Sequence, residues 1–334
     1  MRKILLSAMF LFRMVAGMMA DTKVYTEQLV ITVAGEDMPA QQGQIEVETL
    51  ASGNINFTLK NFILGAGADA MPVGNVKIQD IAVSDLTTYK KFTFNGNITM
   101  EAGDSEVSPL WIGPDLGEVP VLLKGKMTDS KLVVSLDIIL EGMGNMHVHV
   151  AVGTEAVVGT QALTVPIVVT MFDEATAQTG DIVVENLQDG EINFTLKNFI
   201  LGSGSEAMPV GNVAIRDINL VGTGDTKTFA TEESIVITAG QLDGVQEENW
   251  LGPSLGYIPL KLQGKMAGNQ LYVNIDIDMS IMQVQVQVGQ DFDGIASLST
   301  VNGGQQAAVF NLAGQRVSAN HRGITIQNGH KVLR

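Results

Sequence analysis

The chain contains one long segment twice, and this internal repeat limits its fold more than any other feature. Residues 55–76 read INFTLKNFILGAGADAMPVGNV and residues 192–213 read INFTLKNFILGSGSEAMPVGNV, so 19 of 22 positions are identical. A second match, WIGPDLG at 111–117 and WLGPSLG at 250–256, follows at nearly the same spacing. A repeat of about 135 residues has the size of a domain, and two copies are too few for a solenoid. The 334-residue chain is therefore predicted to hold two tandem domains, at residues 21–157 and 158–290.

Within each copy the apolar residues alternate with polar ones, which is the period of a β-strand. Ile55, Phe57 and Leu59, for example, alternate with Asn, Thr and Lys, and turn-forming residues separate such runs. Eight strands can be placed in each copy, and their short connections favour antiparallel pairing. Because an open sheet leaves two unpaired edges, we expect each copy to close into an all-β, up-and-down barrel. A Greek-key sandwich is the competing arrangement.

Both copies also share an ordered set of motifs: NFTLKNF, then MPVGNV, then W-x-G-P-x-L-G, then GKM. In this order the motifs resemble the calycin-like β-barrel domain of secreted Bacteroidetes proteins, over residues 25–290. The resemblance implies a lipocalin-type barrel and implies no particular activity. The G-x-W signature of the lipocalins themselves is missing from the first strand of either copy.

The two ends of the chain are typical of an exported protein. Arg2 and Lys3 precede an apolar run at 4–12, and small residues precede the first acid at position 21. This pattern predicts a signal peptide over residues 1–20, and no transmembrane span is predicted. Residues 291–334 carry a net positive charge and short alternating runs, and they are similar to the sorting tails of type IX secretion cargo. That resemblance implies export machinery as a partner and an extracellular or outer-surface location, with the periplasm as the alternative.

Composition narrows the chemistry that the chain can perform. With 20 basic and 36 acidic side chains the net charge is −16, which disfavours a nucleic-acid partner. No cysteine is present, and residues 161–290 of the second copy contain no histidine. If both copies have the same function, that function requires neither cysteine nor histidine. We therefore expect no enzyme activity and no cofactor. The glycine-rich loops at 65–70 and 202–207 precede Met-Pro-Val-Gly, which cannot start the helix that a dinucleotide site needs.

Charged residues and two histidines recur at strand positions that alternate with the core. His147 and His149 lie two residues apart, as a metal-binding pair would, but the second copy has glutamine at both positions. No metal site is therefore predicted. Lys126, Asp137 and Asp217 also fall on polar strand faces. We interpret all five residues as parts of solvated faces.

These exclusions leave ligand binding as the first hypothesis. Each barrel is predicted to hold a small, largely apolar ligand, lipid-like or sterol-like, in its interior or at its mouth. The candidate contacts are four interior residues and the two tryptophans: Phe57, Leu59, Phe194, Leu196, Trp111 and Trp250. Alternatively, each tryptophan plugs one end of its barrel, with its indole N–H bonded to a carbonyl. The alternative function is a cell-surface structural or adhesion module whose barrels are filled and bind no small molecule.

Overall fold

The computed structural model describes residues 21–33, 35–67, 70–104, 110–204, 207–279 and 282–292, together with four short strands between 309 and 333. The predicted signal peptide at 1–20 lies outside the described residues, as does most of the tail. Among the described residues, no helix is long and apolar enough to span a membrane.

The first copy forms an antiparallel sheet that curls into a nearly closed barrel, barrel 1. Its strands are β1 (Asp21–Val33), β2 (Glu36–Asp37), β3 (Gln41–Thr49), β4 (Ile55–Leu64), β5 (Met71–Ile81), β6 (Val83–Asp85), β7 (Lys90–Thr99), β8 (Glu118–Met127), β9 (Leu132–Leu140) and β10 (Met146–Val152). The strand order is β5-β4-β3-β1-β10-β9-β8-β7-β6, with β2 paired to β1. Only Ala82 separates β5 from β6, so continuous chain joins the two ends of the sheet.

The second copy forms a closed eight-stranded barrel, barrel 2. Its strands are β11 (Val157–Met171), β12 (Glu174–Leu187), β13 (Glu191–Leu201), β14 (Met208–Val221), β15 (Thr226–Val236), β16 (Tyr257–Ala267), β17 (Gln270–Asp278) and β18 (Gln283–Gly289). They follow one another around the ring in chain order, and β11 pairs with β18 to complete it. The predicted all-β fold with two tandem up-and-down barrels is confirmed, and the sandwich is excluded.

Each barrel buries its own hydrophobic core. One set of buried side chains comes from residues 25–152 and a second, separate set from residues 167–288. The inward residues are those that alternate in the sequence, such as Ile55, Phe57 and Leu59, all of which have no exposed surface. The period-two pattern therefore decides which side chains fill the barrels.

The repeated segment places the same irregularity in both barrels. Asn61 and Asp80 have positive φ values of 50° and 55°, and the pairing of β4 with β5 shifts register near them. The backbone N–H of Asn61 donates to Oδ1 of Asn75 at 2.8 Å, and that of Asp80 donates to Oδ1 of Asn56 at 3.0 Å. The same bonds recur 137 residues later. β-Bulges increase the local bend and twist of a strand. The repeated segment therefore gives both barrels the same local curvature.

Short 3-10 helices plug one end of each barrel. They span Gly113–Leu116 and Gly252–Leu255, and two more 3-10 turns lie at Glu141–Met143 and Glu247–Asn249. We call this the plugged end of each barrel and the opposite end, where β1 and β11 begin, the entry end.

The barrels lie side by side with like ends together. Tyr89, at the entry end of barrel 1, donates to Glu191 at the entry end of barrel 2. Tyr257, near the plugged end of barrel 2, donates to the carbonyl of Pro120 near the plugged end of barrel 1. Both entry ends therefore open on one side of the molecule, and both plugs lie on the other.

The tail contributes a small sheet of its own. Its strands are β19 (Val309–Asn311), β20 (Arg316–Val317), β21 (Ile324–Gln327) and β22 (His330–Leu333), in the order β20-β19-β21-β22. Gln327 pairs with His330 across the Asn-Gly dipeptide, which is a strong hairpin signal in the sequence.

Candidate functional site

The entry end of barrel 1 contains a pocket of about 510 Å³. Its floor consists of Tyr25, Val47 and Met127, whose side chains are buried at the top of the core. The end of β6, the start of β7 and the β8–β9 turn form its rim. The pocket therefore lies at the end of the barrel opposite the plug.

The two lysines around this pocket are paired, one with backbone carbonyls and one with a carboxylate. The ammonium of Lys23 donates to the carbonyl oxygens of Thr128 and Asp129 and lies 5.2 Å from the ring centre of Tyr25. The hydroxyl of Tyr25 donates to the same Thr128 carbonyl at 3.3 Å. On the other side of the rim, Lys90 lies 3.6 Å from Asp85. The pocket thus combines an apolar floor with a polar rim.

The structure places the predicted ligand contacts away from this pocket. Phe57, Leu59, Phe194 and Leu196 have no exposed surface and are packed inside the two cores. Both tryptophans lie at the plugged ends, where Trp111 packs against Gly103 and the buried Trp250 packs against Gly240. None of the six lines the entry pocket, whose floor and rim were not anticipated from the sequence.

A buried ion cluster joins the two barrels. The ammonium of Lys126, on β8, lies 2.8 Å from Glu155, 2.7 Å from Asp189, 2.6 Å from Glu191 and 2.7 Å from Asp217. The last three carboxylates belong to barrel 2. The side chains of Lys126 and Glu191 are only 7% and 2% exposed. Nearby, Lys91 lies 3.0 Å from Glu191 and adds a second cation. The cluster, which we call the Lys126 cluster, therefore fixes barrel 1 against barrel 2.

The pKa values in this cluster reflect competition between burial and pairing. Burial lowers the pKa of Lys126, but the surrounding carboxylates outweigh burial and raise it above its ordinary value. Burial raises the pKa of Glu155. Burial would also raise the pKa of Asp189, but the hydrogen bonds from Lys126, Glu155 and the backbone N–H of Glu191, together with the charge of Lys126, outweigh burial and lower it. Burial and the bond to Glu191 raise the pKa of Tyr89. The cluster is therefore held with Lys126 charged at neutral pH.

The interpretation of Lys126, Asp217 and Asp137 as solvated is wrong. Strand alternation correctly places them on the outer faces of the barrels, but in each case the neighbouring barrel covers that face and shields most of the side chain from water. Differences between the two copies could have indicated this covered surface. Asp189 and Glu191 stand at the positions that are Ser52 and Asn54 in the first copy. Two of the four acids that surround Lys126 are thus present only in the copy that docks against it.

The two histidines also face the other barrel and not solvent, which corrects their interpretation. Nε2 of His147 and Nδ1 of His149 both hydrogen-bond Oδ1 of Asp137, at 2.7 and 2.8 Å. They line a cavity of about 160 Å³ between the barrels, with Lys124 and Glu233 in contact across it. Burial alone would raise the pKa of Asp137, but the hydrogen bonds from both imidazoles outweigh burial and lower it.

This arrangement is suited to holding surfaces together and not to binding a metal. Both ring nitrogens point at one carboxylate oxygen, so that oxygen occupies the point where a shared cation would sit. In the part of the chain that the structure describes, no group of three or more His, Cys, Asp or Glu side chains is arranged to hold a metal ion.

The fold defines the class of protein: two tandem antiparallel β-barrels, a fold of a binding type. The family model for the calycin-like β-barrel domain matches the chain twice, at residues 22–153 and 161–295. The chain therefore belongs to the calycin-like β-barrel domain family. Comparison with curated proteins and with solved structures finds no match.

Proposed function

We propose that the chain is an exported, non-enzymatic binding protein that holds a small, largely apolar ligand at the entry end of barrel 1. The supporting observation is the pocket of about 510 Å³ above a filled core, since ligand sites commonly measure about 300–1,000 Å³. Tyr25, Val47 and Met127 offer an apolar floor to the body of a lipid-like or sterol-like molecule. The polar rim suits a ligand whose one hydrophilic end faces water.

The chemistry of the lining supports binding more than catalysis. The groups that line the entry pocket include carboxylates, lysines, hydroxyls and two tyrosines but no imidazole. Asp85 and Lys90 pair with each other, and Lys23 is bound to backbone carbonyls. A nucleophile activated by a neighbouring base is the usual arrangement for covalent catalysis, and the lining supplies no such pair.

Two sequence features support the export part of the proposal. Residues 1–20 have the order of a signal peptide, and the tail resembles type IX sorting segments of Bacteroidetes. We propose an extracellular or outer-surface location on this basis. Cell fractionation with a full-length chain and one lacking residues 1–20 checks it. Retention of both chains in the cytoplasm would contradict export.

Ligand binding is tested by extraction and by titration. Organic extracts of the natively purified protein are expected to contain a co-purifying lipid or sterol by mass spectrometry. A fluorescent fatty-acid analogue is then titrated into the protein and into Thr49→Trp, which places an indole in the pocket. Asn186→Trp, at the equivalent position of barrel 2, is the matched control. We expect Thr49→Trp to weaken binding about tenfold and Asn186→Trp to leave binding in barrel 1 unchanged.

The second candidate function is a structural or adhesion module at the cell surface. The fully buried side chains of Phe57, Leu59, Phe194 and Leu196 support it, because filled interiors need no ligand. An empty extract together with no saturable binding of the fatty-acid analogue would favour this alternative over the first proposal.

A further inference from the structure

Four exposed apolar side chains lie at the plugged ends of the barrels. They are Leu110, Met143, Phe172 and Leu242, which are 77%, 38%, 71% and 36% exposed. Each comes from a different connection: the loop before β8, the β9–β10 turn, the β11–β12 turn and the loop after β15. Because the barrels lie side by side with like ends together, all four belong to one side of the molecule, which we call the plugged face.

Phe172 is the least expected of the four. It forms a two-residue turn with Asp173, and the φ values of the pair are 50° and 64°. Such turns normally use glycine, asparagine or aspartate, because bulky side chains disfavour positive φ. In the sequence, the corresponding positions of the first copy are Ala34 and Gly35. The second barrel therefore exposes a large ring at a backbone conformation that opposes it, and such strain accompanies functional positions.

The loops of the plugged face that the structure describes carry acidic but no basic side chains. The connections at 100–104, 110–117, 141–145, 172–173 and 237–256, for example, contain no lysine or arginine. They contain acids in both barrels: Glu101 and Asp104, which are paired with Lys77 and Lys60 of the neighbouring strands, and Asp115, Glu141, Asp173, Asp243 and Glu248. At the entry ends, by contrast, Lys23, Lys90 and Lys227 lie among the acids. The apolar side chains thus project from an acidic surrounding.

We propose that the plugged face docks a basic, amphipathic polypeptide segment of a partner protein. The exposed side chains of Phe172 and Leu110 would contact its apolar face, and the surrounding carboxylates would meet its lysines and arginines. A mixed surface of this kind discriminates against acidic partners and against anionic membranes, both of which the carboxylates repel. The proposal concerns the side opposite the entry pocket, so it does not rest on ligand binding there.

The experiment uses the full chain and a fluorescent Leu/Lys amphipathic peptide, with fluorescence anisotropy as the measurement. Phe172→Asp is the test variant, and Val221→Asp is its matched control on the opposite end, where Val221 is also exposed. Both variants add the same negative charge, which by itself strengthens attraction to a basic peptide. We expect Phe172→Asp to weaken binding about tenfold nonetheless, and Val221→Asp to leave binding unchanged or slightly tighter.

Phe172→Gly provides a second variant that keeps the turn and relieves its strain. We expect it to weaken peptide binding as Phe172→Asp does, with circular dichroism unchanged. Equal binding of the peptide by the original chain and both Phe172 variants would overturn the proposal, as would equal losses in Phe172→Asp and Val221→Asp. A Phe172-dependent association with phosphatidylcholine vesicles, without peptide binding, would assign the face to lipid and overturn it. A Phe172-dependent dimer in sedimentation would likewise overturn it.

Discussion

Replacing Lys126 with alanine shows whether the ion cluster holds the barrels together. The ammonium lies 2.6–2.8 Å from four carboxylates, and its side chain is 7% exposed. At an effective dielectric constant of about 20, one such contact is about 6 kcal/mol of attraction, and repulsion among the carboxylates offsets most of the total. Removing one partner from a buried ion pair costs about 3–5 kcal/mol. We expect Lys126→Ala to destabilise the docked barrels by about 4 kcal/mol, roughly a thousandfold in the docking equilibrium.

Small-angle X-ray scattering and calorimetry measure this loss of docking. We expect the Lys126→Ala variant to have a larger radius of gyration and to unfold in two separate transitions at pH 7. The defect should shrink on acidification, because protonation of carboxylates in the cluster removes the repulsion among them.

Lys265→Ala is the matched control for this experiment. Lys265 stands at the equivalent position of barrel 2, but it is 24% exposed and its partner Asp291 is 64% exposed. An exposed pair contributes at most about 1 kcal/mol, so this variant should scatter and unfold like the original protein. If Lys126→Ala also scatters and unfolds like the original protein, the cluster does not hold the barrels together.

Three further predictions concern stability. Asp137 has a lowered pKa in the folded protein, so its contribution is present above about pH 4 and is lost as the pH falls below that. In urea titrations, the free energy of unfolding of Asp137→Asn should therefore fall less on acidification than that of the original protein. Asp276→Asn changes the exposed counterpart in barrel 2 and should behave like the original protein. Phe172→Gly should raise the stability by up to about 1 kcal/mol, because relief of positive φ outweighs the added chain entropy of glycine; a lower melting temperature would contradict this. Gly74→Ala should cost about 2–4 kcal/mol, since φ is +124° and its Cβ would lie 2.2 Å from the carbonyl oxygen of Glu101. Gly67→Ala, which meets no neighbour within 4 Å, should cost only about 1–2 kcal/mol by the same measurement.

The fold could be predicted because the repeat and the strand period are local signals. Alternation of Ile55, Phe57 and Leu59 decides which side of β4 is buried, and the structure agrees at all three positions. The repeated asparagines predict less by themselves. That Asn56 and Asn75 hold bulges depends on where β5 lies, which no local pattern specifies.

The site was harder to predict because it depends on surfaces that meet only after folding. The two-residue period of a strand distinguishes side chains that face the barrel interior from side chains that face outward. It does not distinguish an outward face in water from one that another barrel covers. The sequence does contain a signal for the covered face, in positions where the copies differ: His147 and His149 against glutamine, and Asp189 against Ser52. In a tandem repeat, positions that differ between the copies mark surfaces that make a contact in one copy and not in the other.

Photo-cross-linking with a fatty acid that carries a diazirine on its chain tests the binding account most directly, because peptide mass spectrometry then locates the ligand. We predict labelled peptides around Tyr25 and Met127 and in residues 85–90, and loss of that labelling in Thr49→Trp but not in Asn186→Trp. Labelling confined to the plugged ends around Trp111 and Trp250, or no saturable labelling at all, would contradict the account.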